Sequence, residues 1–240
     1  MSPKRVNDFF HSILLAKFFT IILWVLEKLD FRTKESYKTL RTNLEFSGRD
    51  RKVISVTSCT PNEGKTSVSF QLALSVAEGG KRVVLVDADL RKSVLKGRYK
   101  TNASRYGLSH YLSGQASIAD VTCKTNIENF YVIFSGPVPP NPSELLGNDA
   151  FRLLLEYLRN EYDYVIVDTP PLGSVIDGAV AAQYCDGTVV VIESGAISYK
   201  FAQKVKEQLD SLHKGGVLRQ QDYVHKGRRG VQSDVSRRYG

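Results

Sequence analysis

Five apolar runs rich in β-branched residues recur along the chain. They are continuous rather than alternating, which is typical of strands covered on both faces. Stretches with helical spacing separate them, among them Thr66–Glu78, which ends at a pair of glycines. This alternation predicts crossover units and a doubly wound, mostly parallel α/β sheet. The predicted strands are Val53–Thr57, Val83–Asp87, Tyr131–Phe134, Tyr164–Asp168 and Thr188–Glu193.

Three more segments have apolar patterns of a helical kind. Ser143–Asn160 and Tyr199–Leu212 each carry apolar residues on one face and are predicted as amphipathic helices. The run Ile13–Leu26 is too short to span a bilayer comfortably and is interrupted by Lys17. For residues 1–29 we consider a helix on a membrane surface, a helix docked on the domain or on a partner, and an atypical membrane anchor.

The composition separates the folded domain from its C-terminal end. The chain has 240 residues and a formal net charge of +8. Residues 213–240 contain seven Lys or Arg against two Asp, so most of the positive charge lies there and does not indicate nucleic-acid binding by the domain. We therefore predict a folded domain over 30–212 and a basic, disordered tail over 213–240.

The three cysteines argue against two kinds of site. Cys59, Cys123 and Cys185 lie far apart in the sequence, and no CxxC pair is present. A disulfide framework and a zinc site are therefore not expected, and the cysteine usage fits the reducing cytosol.

The turn Ser58–Ser67 (SCTPNEGKTS) connects a predicted strand to a predicted helix. It fits the P-loop pattern G-x-x-x-x-G-K-[ST], with Cys59 at the first glycine position. Such a loop offers unpaired N–H groups and the positive end of a helix to phosphates, while its lysine reaches the β- and γ-phosphates and its Thr hydroxyl reaches Mg²⁺. The predicted ATP-binding residues are Cys59, Pro61, Asn62, Glu63, Gly64, Lys65, Thr66 and Ser67.

Three aspartates follow or end predicted strands, where parallel sheets bind ligands. Asp87 and Asp89 lie in VVLVDADLRKS, and Asp168 ends YVIVD. Asp168 is predicted as the Walker B carboxylate, and Asp87 or Asp89 could accept a proton from an attacking hydroxyl or bind the metal. Asp89 could instead cap the following segment, and Arg91 could contact phosphate or pair with an aspartate.

From about Asp30 to about Leu212, the chain resembles the bacterial tyrosine kinases of capsule and exopolysaccharide synthesis, in the form with a separate cytosolic kinase chain. The resemblance rests on CTPNEGKTS, VVLVDADLRKS and YDYVIVDTPP, together with LSHYLSG, TNIENFYVIFSG, PPNPSELL and ESYKTLRTNLEF. It implies a P-loop NTPase architecture of the ParA/MinD-like subgroup. It also implies that ATP and Mg²⁺ are bound, with Lys65, Asp87 and Asp89 catalytic and Thr66, Asp87 and Asp168 at the metal.

The resemblance also implies an assembly. A family motif for ring formation, E-x-x-R-x-x-R, has its counterpart here in Glu35, Lys38 and Arg41, although local ion pairing on a solvated helix is the simpler interpretation. The expected partners are a membrane activator of polysaccharide chain-length control, further copies of the chain and protein tyrosine substrates. The expected location is the cytoplasm, at the membrane through a partner. Tyr223 and Tyr239 are the candidate phosphate acceptors in the tail.

Two other functions are compatible with a nucleotide-binding loop of this kind. A ParA- or MinD-type ATPase switch would carry a lysine directly after the first glycine position of the loop, where Thr60 stands here. A non-catalytic regulator would bind nucleotide within the assembly and transfer no phosphate. The sequence favours an autophosphorylating, ATP-dependent protein tyrosine kinase that regulates polysaccharide synthesis and export.

Overall fold

The fold is taken from a computed structural model that describes residues 29–48, 50–98 and 105–212, and the backbone of 20–21, 224–227 and 230–233. The strands are β1 (Thr20–Ile21), β2 (Val53–Ser58), β3 (Val83–Asp87), β4 (Thr122–Thr125), β5 (Phe130–Ile133), β6 (Tyr164–Asp168), β7 (Gly187–Val191), β8 (Val224–Gly227) and β9 (Gly230–Ser233). The helices are α1 (Phe31–Phe46), α2 (Lys65–Glu78), α3 (Leu95–Arg98), α4 (Leu108–Leu112), α5 (Ile118–Val121), α6 (Pro142–Gly147), α7 (Asp149–Glu161), α8 (Asp177–Ala182) and α9 (Tyr199–Leu212).

A seven-stranded sheet forms the centre of the molecule, in the order β1-β4-β5-β3-β6-β2-β7. Every neighbouring pair is parallel except β4 with β5. β3 and β6 are adjacent, and their register places Asp87 opposite Asp168. The predicted doubly wound, mostly parallel sheet is therefore confirmed, and two of the predicted site residues lie side by side at its carboxyl edge.

Helices cover both faces of this sheet, which explains the continuous apolar strands. On one face, strand residues such as Ile54 and Leu85 pack with Phe70 of α2 and Leu40 of α1. On the other face, residues such as Val84 and Val167 pack with Phe151, Leu154 and Leu158 of α7. Because alternate residues of one strand enter different cores, successive positions of the central strands are mostly apolar.

The segment predicted as one helix over Ser143–Asn160 is two helices. α6 begins at Pro142, and α7 begins again after Asn148, whose side chain accepts a hydrogen bond from the Phe151 amide. Asn148 has extended backbone angles that a continuous helix does not allow, and its side chain supplies the new N-cap.

The two ends of the chain differ from expectation where the structure describes them. Thr20 and Ile21 are extended and pair with β4, so a helix does not pass through this point of the N-terminal segment. Both residues are β-branched, which favours the extended backbone. In the tail, β8 and β9 form an antiparallel hairpin instead of the predicted disorder. The remainder of 1–28 and 213–240 lies outside the described residues.

No helix in the described part of the chain combines the length and the apolar character needed to cross a bilayer.

Candidate active site

The P-loop turn joins β2 to α2 in a backbone shape that its residues permit. Gly64, directly before α2, has a φ of 90°, and Asn62 has a φ of 69°. Both angles lie in the left-handed region, which glycine and, less readily, asparagine adopt. The turn thus delivers the chain to the helix N-terminus, where the first amides lack partners within the helix.

Two residues of the loop stabilise the turn by accepting backbone hydrogen bonds, Glu63 through its carboxylate and Cys59 through its carbonyl. Glu63 is 1% exposed, and its carboxylate accepts the amide of Thr60 at 2.6 Å and that of Glu193 at 3.5 Å. The Cys59 carbonyl accepts the amide of Gly173 at 3.1 Å, and burial with the nearby Glu63 charge raises the pKa of its thiol to about 11. The Glu63 side chain therefore holds the turn and the Cys59 side chain is buried in an apolar cluster, so any contact of these two residues with nucleotide would come from the backbone.

Lys65 lies among three carboxylates at the ends of the strands. Its Nζ is 2.9 Å from Asp89 Oδ2 and 3.9 Å from Asp168 Oδ1. Burial would lower the pKa of Lys65, but the charges of Asp168, Asp89 and Asp87 outweigh burial and raise it. The ammonium is therefore charged, and the three carboxylates exceed the positive charge that it supplies.

Asp87 is a buried carboxylate with strongly altered acidity. Its side chain accepts hydrogen bonds from the Ser93 hydroxyl and, at 3.3 Å, from the Asp89 amide. Burial and the charge of Asp168 raise the pKa of Asp87 to about 7, against the opposing effects of Ser93 and Lys65. Such a carboxylate exchanges a proton near neutral pH, as a general base requires.

Asp168 has one oxygen held and one oxygen free. Oδ1 accepts the Ser69 hydroxyl at 3.1 Å, whereas Oδ2 is buried and has no hydrogen-bond partner among the described residues. Burial raises the pKa of Asp168, although Lys65, Thr66 and Ser69 oppose the increase. A buried oxygen left unpaired is costly unless a ligand completes it.

The donor set fits a magnesium ion that arrives with a nucleotide. Within the described ranges, no three acidic, histidine or cysteine side chains are already placed to hold a metal by themselves. Mg²⁺ takes oxygen ligands, usually one or two from the protein, with phosphate and water supplying the others. The Thr66 hydroxyl, the free oxygen of Asp168 and the adjacent Asp87 suit that role.

An ion pair of Arg91, whose acidic partner the sequence did not identify, lies beside these groups. Arg91 donates through Nε to Asp177 Oδ2 at 2.6 Å and through Nη2 to Oδ1 at 3.2 Å, and Ser143 also donates to Asp177. Of the two alternatives for Arg91, the structure therefore selects pairing with an aspartate. Asp177 belongs to none of the sequence motifs, so only the three-dimensional structure identifies it as the partner of Arg91.

The other predicted site residues lie on the surface of the loop and on α1. Pro61 and Asn62 are exposed, and Ser67 Oγ accepts a hydrogen bond from Arg98. On α1, Lys38 pairs with Glu35 at 2.8 Å, as the local interpretation expected, while Arg41 donates to the Ser75 carbonyl of α2 at 2.6 Å.

Two predicted residues cannot be placed. Tyr223 and Tyr239 lie outside the described residues, so their role as acceptors stays a prediction.

Comparison with known proteins gives consistent results. Residues 51–220 match the model of the AAA domain family. The chain is 44% identical over 179 residues to tyrosine-protein kinase CpsD of Streptococcus agalactiae, covering 75% of this chain and 78% of the relative. It is 39% identical over 177 residues to tyrosine-protein kinase YwqD of Bacillus subtilis, covering 73% and 74%.

Solved structures agree with these relatives. The kinase domain of Escherichia coli tyrosine kinase ETK matches with a TM-score of 0.75 at 29% identity, covering 100% of this chain and 98% of that one. The cell division ATPase MinD of Pyrococcus furiosus matches with a TM-score of 0.58 at 23% identity, covering 70% and 68%, a likeness of fold alone. The chain therefore belongs to the bacterial tyrosine kinase family, which is built on the ParA/MinD-like P-loop fold.

Proposed function

We propose that this protein transfers the γ-phosphoryl group of ATP to tyrosine hydroxyls of proteins. The observation that carries the proposal is the cluster at the carboxyl edge of the sheet, where Lys65 of the P-loop meets Asp87, Asp89 and Asp168. One cation faces three buried carboxylates there. A magnesium–nucleotide would bring positive charge to the carboxylates and phosphate oxygens to the lysine.

In binding, Lys65 and the amides at the start of α2 would hold the phosphates. Asp89 now accepts Lys65 at 2.9 Å and so orients the ammonium within the site. Thr66 and Asp168 would hold the magnesium ion, with Asp87 beside them. When bound, the metal supplies charge neutralisation at the phosphates.

In the chemical step, Asp87 would accept the proton of the tyrosine hydroxyl. The phenolic oxygen forms the new bond to phosphorus, the bond between the β–γ bridging oxygen and phosphorus breaks, and ADP leaves. The Ser93 hydroxyl and the Asp89 amide hold the Asp87 carboxylate in place for this transfer. Burial of Asp87 and Asp168 keeps water from competing.

The biological setting follows from the family resemblance. We infer that the kinase regulates capsular or exopolysaccharide synthesis and export, in the cytoplasm, with a membrane activator as its partner. A ring of copies would assemble through the α1 face that carries Glu35, Lys38 and Arg41. In the isolated chain Arg41 already binds the Ser75 carbonyl, so a ring contact through Arg41 would add to or replace that bond.

The test is phosphotyrosine formation. Purified protein is incubated with ATP, Mg²⁺ and the cytoplasmic segment of its activator, and phosphotyrosine is located by mass spectrometry. We expect phosphotyrosine with the wild type and none with Lys65→Met or Asp87→Asn. ATP hydrolysis without phosphotyrosine would instead support a nucleotide switch, and a signal that persists in Lys65→Met would refute the assigned loop chemistry.

A further inference from the structure

The segment Arg91–Arg98 is an ordered shelf beside Asp87. Four contacts fix it: Arg91 pairs with Asp177, Ser93 donates to Asp87, Leu95 is 1% exposed in the core, and Arg98 donates to the hydroxyl of Ser67. These anchors come from three different parts of the chain. The segment therefore presents its exposed side chains from a fixed backbone.

The side chains that the shelf presents are mostly cationic. Lys92, Lys96 and Arg98 are exposed, as is Val94 between them at 47%. Among the ion pairs of the described residues, none involves these three cations. The partner of Arg98 is a neutral hydroxyl, so none of the three charges has an acidic partner among the described residues.

The shelf borders the point where a tyrosine would give up its proton. Ser93 contacts the Asp87 carboxylate, and the Lys92 amide donates to Asp89 Oδ1 at 3.0 Å. The backbone that carries Lys92 and Lys96 is therefore adjacent to Asp87, where the flanking residues of a bound tyrosine peptide would pass. Uncompensated cations attract acidic flanks and repel basic ones.

We propose that Lys92, Lys96 and Arg98 form an acceptor-docking surface that selects tyrosines flanked by acidic residues. The inference rests on the proposed function and names its substrate class. It also ranks the chain's own tyrosines. Tyr239 directly follows two arginines and is therefore expected to be a weak acceptor, whereas Tyr223 directly follows Asp222 and is expected to be the better acceptor of the two.

The experiment compares three peptides with one central tyrosine and flanks of Glu, Gln or Lys. For the wild type we expect the KM to be lowest for the Glu peptide and highest for the Lys peptide. The double variant Lys92→Gln/Lys96→Gln should raise the KM of the Glu peptide about fivefold, since an exposed charge contact changes affinity a few-fold. The KM for ATP should stay unchanged, and 0.5 M NaCl should remove most of the preference.

The matched control is Lys81→Gln/Lys124→Gln, which removes the same charge near the amino-terminal edge of the sheet. Lys81 precedes β3, and Lys124 lies opposite Tyr131, near the start of β5; both are exposed. This control should leave the KM of the Glu peptide unchanged. An equal rise in both double variants would mean a general effect of net charge and would overturn the docking surface.

Binding is measured separately with fluorescent peptides that carry Phe in place of Tyr. If the Glu peptide binds more tightly than the Gln peptide but no tyrosine peptide is phosphorylated, the proposed function fails and the docking surface stands. Equal affinities for Glu and Gln peptides would overturn the docking surface while leaving the kinase intact. A raised KM for ATP in Lys92→Gln/Lys96→Gln, or loss of binding to phosphatidylserine vesicles with unchanged peptide KM, would assign these lysines to nucleotide or lipid and also overturn it.

Discussion

Two lysine–carboxylate pairs of this protein have almost the same length and very different surroundings. Lys65 and Asp89 are 2.9 Å apart, with side chains 11% and 6% exposed, whereas Lys38 and Glu35 are 2.8 Å apart, with side chains 52% and 46% exposed. Charges interact more strongly away from water, and removing one partner of a buried pair is costly. An exposed pair contributes little.

The lesson of this comparison is that burial and surplus charge, rather than distance, mark the functional region. Lys65 has two further carboxylates near it, those of Asp87 and Asp168. The Oδ2 atom of Asp168 has no hydrogen-bond partner in the part of the chain that the structure describes. Lys38 and Glu35 neutralise each other on the surface of α1. The cluster around Lys65 therefore has the excess negative charge that a cationic ligand would neutralise, whereas the pair of Lys38 with Glu35 has no excess charge.

The largest expected effect comes from removing the lysine of the buried pair, Lys65 with Asp89. Lys65→Met should lower the rate of phosphate transfer by roughly 10²-fold or more, because the charge aimed at the transferring group is removed. Nucleotide affinity should fall as well. Lys38→Met should keep nucleotide affinity within about twofold of the wild type. Isothermal titration with ATP·Mg²⁺ and a single-turnover assay measure both, and equal affinities in the two variants would contradict the assignment.

The surplus of negative charge predicts a gain in stability from a mutation that abolishes activity. The pKa of Asp87 is raised to about 7, above that of a carboxyl in the unfolded chain, so ionising Asp87 disfavours the folded state as the pH rises from about 4 through 7. In EDTA at pH 8, Asp87→Asn should be more stable than the wild type by on the order of 2 kcal/mol. The advantage should shrink to near zero at pH 4.

Urea denaturation at the two pH values measures this difference. Asparagine keeps an acceptor for the Ser93 hydroxyl, so the comparison isolates the charge. A wild type and variant with the same change in unfolding free energy between pH 4 and pH 8 would contradict the altered acidity of Asp87.

Two arginines that are equally exposed allow the same comparison of a buried with an exposed acidic partner. Arg91 and Arg152 are each 42% exposed, but Asp177 is 1% exposed, whereas Asp149 and Glu156, the partners of Arg152, are 85% and 55% exposed. Arg91→Gln should lower the unfolding free energy by about 2 kcal/mol, less than for a fully buried pair because water still reaches Arg91. Arg152→Gln should change it by less than about 0.5 kcal/mol.

Chemical denaturation of both variants at pH 7 checks this prediction. Burial alone would raise the pKa of Asp177, but hydrogen bonds from Arg91 and Ser143 and the Arg91 charge lower it. The stabilisation is therefore present above the ordinary carboxyl pKa and is lost as the pH falls through the lowered value. Equal losses in the two variants would show that the burial of the partner is unimportant.

The smallest expected effect lies on α1. Arg41 donates to the Ser75 carbonyl at the end of α2, and Arg41→Gln should lower the unfolding free energy by about 1 kcal/mol. Lys38→Gln should lower it by less than about 0.5 kcal/mol, because its partner is equally exposed. Thermal denaturation of dilute protein measures both, and analytical ultracentrifugation reports separately whether either variant loses assembly.

Much of the fold could be predicted because its strands are continuous apolar runs with helices between them. The boundaries of β3, β6 and α9 agree with the sequence pattern. β4 was missed because the sequence Thr-Cys-Lys-Thr is short and largely polar. It pairs antiparallel with β5, unlike the other neighbouring strands of the sheet. The break at Asn148 was missed because the apolar spacing continues through it.

The site was predictable where one stretch of chain determines it, as in the P-loop turn. The inward carboxylate of Glu63 was not predicted, and pairing of Arg91 with an aspartate was one of two alternatives without Asp177 being identified as the partner. In the latter, 86 residues separate the partners, and only the parallel order of the strands brings them together. Contacts of this kind depend on tertiary packing, for which a single sequence has no local signal.

The most direct test of the central claim is a crystal structure of the protein with Mg²⁺ and a non-hydrolysable ATP analogue. We predict that Lys65 Nζ leaves Asp89 and contacts a phosphate oxygen, while the Thr66 hydroxyl and the free oxygen of Asp168 face the metal. A nucleotide bound elsewhere, or a Lys65 that remains on Asp89 with the phosphates in place, would contradict the account.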